Sequence, residues 1–142
     1  MPFDGTTPAK PQLSQISAAQ SALVLGVVEV FFRDGARWAR GTYCTTDGRR
    51  CLLEAVQFAR RQIGAQVDRA PDYLARAIRL RRGYADSHAD THATVIAFND
   101  ARRRSWRHIA AVIRKAKALA EADAQHIPPA DRHLAILCEL GC

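Results

Sequence analysis

Two polar residues close an apolar run at Ile96-Ala97-Phe98-Asn99-Asp100, and a basic segment, Ala101-Arg102-Arg103-Arg104-Ser105-Trp106, follows at once. Asn and Asp side chains accept backbone N–H groups at turns and helix starts, so a structural corner accounts for both residues. The chemical alternative is the floor of a polar pocket. There, Asn99 and Asp100 beside Arg102, Arg103 and Arg104 hold a partner or a cation.

A second cluster has metal-ligand chemistry. His88 and His92 are four apart, which puts both rings on one face if that stretch is helical. Cys44 and Cys51 would complete a Cys2His2 set, and thiolate with imidazole suits zinc. The six-residue gap between the cysteines is wider than a zinc-finger bracket, and no H-E-x-x-H occurs. No bound metal and no cofactor are therefore expected, with the cysteines reduced.

The third feature is a basic stripe. Arg103, Arg107 and Arg114 are spaced by four and seven, so a helix through them would carry all three on one face. Lys117 and His108 flank that face, and Trp106 could stack on bases if exposed. Arginine makes planar bidentate contacts with phosphates, and such binding weakens as salt rises. A further group, Arg76, Arg79, Arg81 and Arg82, would join Arg60 and Arg61 in one patch if their helices were neighbours. A solvated helix face explains the same pattern without a ligand, and no zinc finger or RNP-like strand motif is present.

Nucleophilic catalysis finds little in the residues. Ser105 and His108 are three apart without the glycine-flanked turn of a nucleophile elbow. No P-loop or G-x-G-x-x-G occurs. On these grounds the sequence weighs against an enzyme, and no catalytic residue is assigned.

The elements that must position these groups are helical. Leu23, Val24, Val27, Val28, Phe31 and Phe32 give a broad apolar face, and Ser17 with Gln20 has capping-box spacing, so a helix over 17–33 is expected. Asp34-Gly35 stops it. A structured loop follows, with a turn at Thr46-Asp47-Gly48. Leu52, Ala55, Val56, Ala59 and Ile63 predict a helix over 51–66. Pro71 suits the first turn of a helix over 71–82, closed by Gly83. Asp86 to His92 reads as a polar approach, and Ala93 to Phe98 as a short helix or buried turn. Ile109, Val112, Ala116 and Leu119 mark a last long helix over 105–124, capped by Ser105 and broken before Pro128-Pro129. Leu134, Ile136, Leu137 and Leu140 give the tail an apolar edge. The fold class expected is all-α, a compact orthogonal bundle of about five helices. A flexible arm, 1–13, precedes a helical domain, 14–127, and the tail, 128–142, packs on it.

Bulk properties agree with one domain. The 142 residues suffice for a single core. No run reaches 18 uninterrupted apolar residues, which argues against a membrane span. The opening MPFDGTTPAKPQ lacks a basic n-region, so a cytoplasmic location is expected. The formal net charge is +7, carried by eighteen Arg and three Lys against fourteen acidic residues. An anionic partner fits that balance.

The residues Trp38-Ala-Arg-Gly41, then Gly48 and Cys51-Leu-Leu-Glu-Ala55, then Ile96-Ala-Phe-Asn99-Asp100 and Trp106-x-x-Ile109 resemble a small bacterial and phage family of unknown function. Its members carry a Trp-x-x-Gly segment and a hydrophobic-Trp-Asn-Asp corner. Glu54 stands where many members have glycine, and Phe98 replaces the tryptophan. The likeness spans roughly residues 18–124 and implies a helical fold without an activity. The function expected is a non-enzymatic interaction protein working through a basic helical surface on an unknown protein partner. Sequence-indifferent nucleic-acid binding through Arg103, Arg107, Arg114 and Trp106 is the first alternative, and a small enzyme with a polar site at Asn99 and Asp100 the second. Nothing in the sequence fixes the oligomeric state.

Overall fold

A computed structural model describes residues 12–83 and 90–125. Its element order is α1 (Leu13–Phe32), α2 (Leu52–Ile63), α3 (Ala70–Arg79), α4 (Thr91–Asp100) and α5 (Trp106–Ala124). Among the described residues there is no strand, only isolated bridges of Arg50 to Trp38 and to Cys44. The all-α, five-helix bundle is the fold that the apolar periodicity predicts.

The helix ends differ from expectation in instructive ways. Helix α1 starts at Leu13, one turn before Ser17, because Gln12 caps it and its backbone N–H donates to Gln15 Oε1 at 2.7 Å. Ser17 is buried inside the helix. Ser21 donates its hydroxyl to Ser17 O and accepts from Arg69 N, both at 2.6 Å. Ser21 and Gln20, which accepts from Gln66 N and Val67 N, thus fasten the α2–α3 connection to α1.

Cys51 caps α2, its Sγ accepting from Glu54 N, and Gly64 ends it in a left-handed conformation at φ +67°. A left-handed C-terminal residue costs glycine little because it has no Cβ. Helix α3 stops at Arg79, short of the expected 82, with Pro71 in its first turn. Helix α4 is longer than the expected 93–98. Asp90 caps it through Ala93 N at 3.2 Å, so it begins at Thr91 and includes Asn99 and Asp100 as its last residues. Helix α5 follows the predicted span, and His108 Nδ1 accepts from Ser105 N at 3.1 Å in place of the usual glutamate of a capping box.

The core joins all five helices. Val24, Leu25, Val28 and Phe32 of α1 meet Leu52 and Val56 of α2, Leu74 and Ile78 of α3, Val95 and Phe98 of α4, and Ile109, Val112 and Ile113 of α5. Helix α1 is long and apolar enough by composition to cross a membrane. One side of it, with Val24, Leu25, Val28 and Phe32, is buried against the other helices, and Ser, Gln and Glu29 interrupt its apolar run. The tail helix expected over 130–140 and most of the arm 1–13 lie outside the described residues.

The connection between α1 and α2 is a loop held by its own hydrogen bonds. Ala39 N donates to Arg50 O and Arg50 N to Arg37 O, both at 2.8 Å, and Cys51 N donates to Tyr43 O at 2.9 Å. The expected turn at Thr46-Asp47-Gly48 closes through Gly48 N to Thr45 O at 3.1 Å. Thr45 and Arg49 both donate to Asp47, and hydrogen bonding to the charged form lowers its pKa. The Arg50 guanidinium lies 4.7 Å from the Phe58 ring centroid and pairs with Glu54 at 3.0 Å, which anchors the loop's end on α2.

Candidate functional site

Asn99 is the hub of the loop–helix junction. It is 1% exposed. Its Oδ1 accepts from Trp38 Nε1 at 2.8 Å and from Leu52 N at 3.0 Å. Its Nδ2 donates to Ala39 O at 3.1 Å and to Asp100 Oδ1 at 2.8 Å. Four bonds use the full capacity of the carboxamide. Leu52 N is one of the orphan donors at the start of α2, so an asparagine at the end of one helix completes the start of another. Three of these bonds reach 47 to 61 residues along the chain. The local Asx-turn expected at this corner is not how the side chain is used.

Asp100 continues the junction at the surface. Its Oδ1 also accepts from Gly41 N at 2.8 Å, and Gly41 has φ +80°. No hydrogen bond to Oδ2 is seen among the described residues. Beside it lies a cavity of about 350 Å³ lined by Gly41, Thr42, Tyr43, Cys51, Leu53, Ile96, Asn99 and Asp100. Asp100 is the one carboxylate among these. Cys51 is 5% exposed, and burial raises its thiol pKa, which keeps it protonated as a neutral group. The wall therefore combines a carboxylate, a hydroxyl on Thr42, an exposed phenol on Tyr43 and apolar side chains. That combination can orient a small polar molecule and move a proton at Asp100.

A family model matches residues 34–119, from just after α1 through most of α5. The chain belongs to DUF6197, a family of unknown function. In this DUF6197 chain the matched region contains every residue of the Trp38–Asn99–Asp100 junction and its cavity. No curated protein and no solved structure matches it.

The other expected residues are placed as follows. Arg103 lies before α5 in the turn, at φ +67°, so it does not share a helical face with Arg107 and Arg114. Arg107 and Arg114 are exposed on α5. Trp106 is not a free stacking platform. Its ring packs edge-on against Phe32 at 5.4 Å, over Gly35. Arg104 donates to Phe98 O at 2.8 Å, with its guanidinium 3.6 Å from the Phe98 ring centroid, so it locks the turn. Lys117 pairs with Glu29 at 2.8 Å. The second arginine group is divided among partners: Arg60 is bidentate on Asp68, Arg61 meets Glu54, Arg76 meets Asp123 and Arg79 donates to Thr94.

In the metal set, His88 lies outside the described residues. Cys51 is committed as a buried cap, whereas Cys44 and His92 are exposed. No cluster of three ligand-type side chains occurs among the described residues. Ser105 and His108 meet at 3.1 Å as a helix cap. Burial and then Arg104, Arg81 and Arg107 lower the His108 pKa, favouring the neutral ring that accepts from Ser105 N.

The expectation against an enzyme needs correction. Trp38 to Asn99, Tyr73 to Asp123 at 2.6 Å and Arg79 to Thr94 at 3.2 Å tie separate elements through polar side chains. Such a cluster, with a cavity at its Asn99 end, is the setting in which polar groups do chemistry. The polar pocket at Asn99 and Asp100, weighed in the sequence as the lesser alternative to a structural corner, is the reading this network favours. Trp38, Gly41 and Tyr43 were missed as site residues. The signal for Trp38 and Gly41 was the Trp-x-x-Gly segment, whereas Tyr43, two residues beyond it, carried none.

Proposed function

We propose that the chain is a small enzyme, or the binding core of one, whose site is the cavity at Asn99 and Asp100. The observation that carries this reading is the divided role of Asp100. One carboxylate oxygen is fixed by Gly41 N and Asn99 Nδ2, and the other takes no hydrogen bond among the described residues beside a cavity of about 350 Å³. A carboxylate fixed in this way can serve as a general base, or accept an N–H or O–H group of a small polar substrate. Asn99 is then a positioning residue, and Tyr43 and Thr42 give the wall its polar selectivity. The narrower likeness to bacterial and phage proteins is part of the same reading, as are a cytoplasmic location and a division into arm, helical domain and tail at 13 and 127.

The test is a screen of small polar compounds by thermal shift and turnover, comparing the native chain with Asp100→Asn. The amide keeps an oxygen for Gly41 N, so the fold is expected to survive. Ligand-induced stabilisation or turnover is expected to fall at least tenfold. A compound that acts equally on both proteins would overturn the assignment of Asp100.

A second reading rests on Arg107 and Arg114, which are exposed and in no ion pair among the described residues. They support weak, sequence-indifferent binding of nucleic acid, or of an acidic protein partner. Titration at two salt concentrations checks it: affinity is expected to fall steeply with salt, and reversal of both charges to glutamate is expected to remove it. Equal binding by that variant rules out this face.

A further inference from the structure

Two residues other than glycine have a positive φ among the described residues, and both are arginines: Arg33 at +55° and Arg103 at +67°. Arg33 is the first central residue of the turn that Gly35 N closes on Phe32 O at 2.9 Å. With ψ at −110° it has the conformation of a type II′ turn, where glycine is the usual occupant. Arg103 is the second central residue of the turn that Arg104 N closes on Ala101 O at 3.0 Å. A positive φ there favours glycine or asparagine. Both positions strain a residue that carries a Cβ. Both side chains are exposed and make no ion pair among the described residues.

The two turns lie side by side at one end of the bundle. Trp106 packs edge-on against Phe32 and over Gly35, and Arg40 Nη1 donates to Arg104 O at 3.4 Å. Segments 33–40 and 101–107 together hold seven arginines and one acidic residue, Asp34. Arg104 is committed to Phe98. The other six, Arg33, Arg37, Arg40, Arg102, Arg103 and Arg107, are exposed and in no ion pair among the described residues. Elsewhere arginines are matched: Arg60 with Asp68, Arg61 with Glu54 and Arg76 with Asp123. The unmatched charges stand at the start of α5, whose first turn has no acidic residue to offset the positive end of the helix dipole. Their field reaches His108, where burial first, and then Arg104, Arg81 and Arg107, lower the ring's pKa.

We propose that this end of the bundle binds the phosphate backbone of a nucleic-acid strand, and that the two strained turns hold Arg33 and Arg103 out toward it. A guanidinium meets a phosphate through two parallel N–H bonds, and six of them on two adjoining turns suit a chain of phosphates. An acidic protein is the weaker match. A protein interface has an apolar or aromatic centre, and none of the exposed large apolar residues lies in either segment. Trp38 and Trp106 are packed against the core, so neither ring is offered to a base, and binding goes through the backbone without base preference. The proposal rests on the nucleic-acid branch of the second reading above and gives it a different surface, with Arg107 kept and Arg114 left out.

Fluorescence anisotropy with the full chain tests this, using labelled single-stranded DNA, single-stranded RNA and duplex DNA of mixed sequence. Six phosphate contacts on a single strand give a log–log salt slope of about −4, so affinity is expected to fall a few hundredfold between about 50 and 200 mM salt. Replacing Arg33, Arg37 and Arg40 together with glutamine is expected to halve that slope and to weaken binding at least about tenfold at the lower salt. A control with the same change of charge, Arg61→Gln with Arg76→Gln and Arg114→Gln, is expected to weaken it less than about threefold. Circular dichroism confirms the helices of both triple variants. The single variants Arg33→Gly and Arg103→Gly are each expected to raise the melting temperature by about 2 °C or more as strain is relieved, while weakening binding about threefold. Equal loss in the two triple variants overturns the proposal, because net charge then suffices. Loss on reversal of Arg107 and Arg114, with none in the Arg33, Arg37 and Arg40 variant, overturns it and leaves the earlier face standing. Glycine variants that bind as tightly as the native chain overturn the role of the two turns. Polyglutamate that competes as well as unlabelled nucleic acid assigns the surface to an acidic protein and overturns the phosphate reading. Failure to bind any of the three nucleic acids overturns this proposal and the nucleic-acid branch together.

Discussion

At the scale of the residue, Asn99 decides whether the loop before α2 has a fixed shape. Asn99→Ala strands Trp38 Nε1, Leu52 N and Ala39 O in a buried place. Each unsatisfied buried group costs about 1–3 kcal/mol, partly relieved by entering water, so a loss of about 3 kcal/mol in chemical denaturation is expected. Asn99→Asp is expected to be worse despite its equal size. It replaces the donor to Ala39 O with a second carboxylate beside Asp100. Trp38→Phe keeps an aromatic ring but loses the Nε1 donor and part of the packing on the core, while Leu52 N stays on Asn99, so about 1–2 kcal/mol is expected. If the aspartate variant proves as stable as the native chain, the carboxamide is not the anchor described above.

The same scale separates two glycines. Gly35 has φ +95°, and a Cβ there would lie 2.5 Å from Trp106 Cγ. Gly41 has φ +80° with open space around it. Gly41→Ala is expected to cost about 1 kcal/mol for the backbone alone. Gly35→Ala must also displace a tryptophan packed on Phe32, so about 3 kcal/mol or more is expected. Thermal unfolding of the two variants side by side checks this order.

At the scale of the element, helix ends carry the specificity of the fold. Ser105 and His108 close the first turn of α5 within a basic surrounding. Ser105→Ala is expected to cost about 1 kcal/mol, the usual value for a lost N-cap. His108→Glu restores the common capping residue and adds a negative charge at the positive end of the helix dipole, beside Arg104 and Arg107. It is expected to raise stability by about 0.5 kcal/mol. A decrease would show that the neutral imidazole does more than accept from Ser105 N.

At the scale of the whole molecule, stability is expected to fall on the alkaline side. Burial first, and then the bond to Asp123, push the Tyr73 pKa up to about 12 from 10. Below the unfolded value the phenol is neutral in both states and its contribution is complete. As pH rises from 10 toward 12 the unfolded chain ionises first, and that contribution is lost. Burial likewise raises the Cys51 pKa above 9, so its loss begins earlier. Denaturant midpoints at pH 8, 9.5 and 11 are expected to decline in the native chain and less steeply in Tyr73→Phe. An identical decline in both would remove Tyr73 from the account.

The sequence by itself determined the class of fold and most of its punctuation. Apolar recurrence at helical spacing identified α2 and α5 within a few residues, because one face of each must be buried. Gly35, Gly64 and Pro71 marked boundaries for reasons intrinsic to their backbones. It also singled out Asn99 and Asp100, since two polar residues closing an apolar run need partners. Only the tertiary structure decided who those partners are. Trp38, Ala39, Gly41 and Leu52 lie 47 to 61 residues from them in bonds that no local spacing encodes. The same holds for the arginines. Periodicity put Arg103 on a helix, but the left-handed turn before α5 removed it. It offered Trp106 to a ligand, but Phe32 and Gly35, from the other half of the chain, had already claimed the ring. Periodicity reports which face an element buries, whereas partner choice depends on how the buried faces stack in three dimensions.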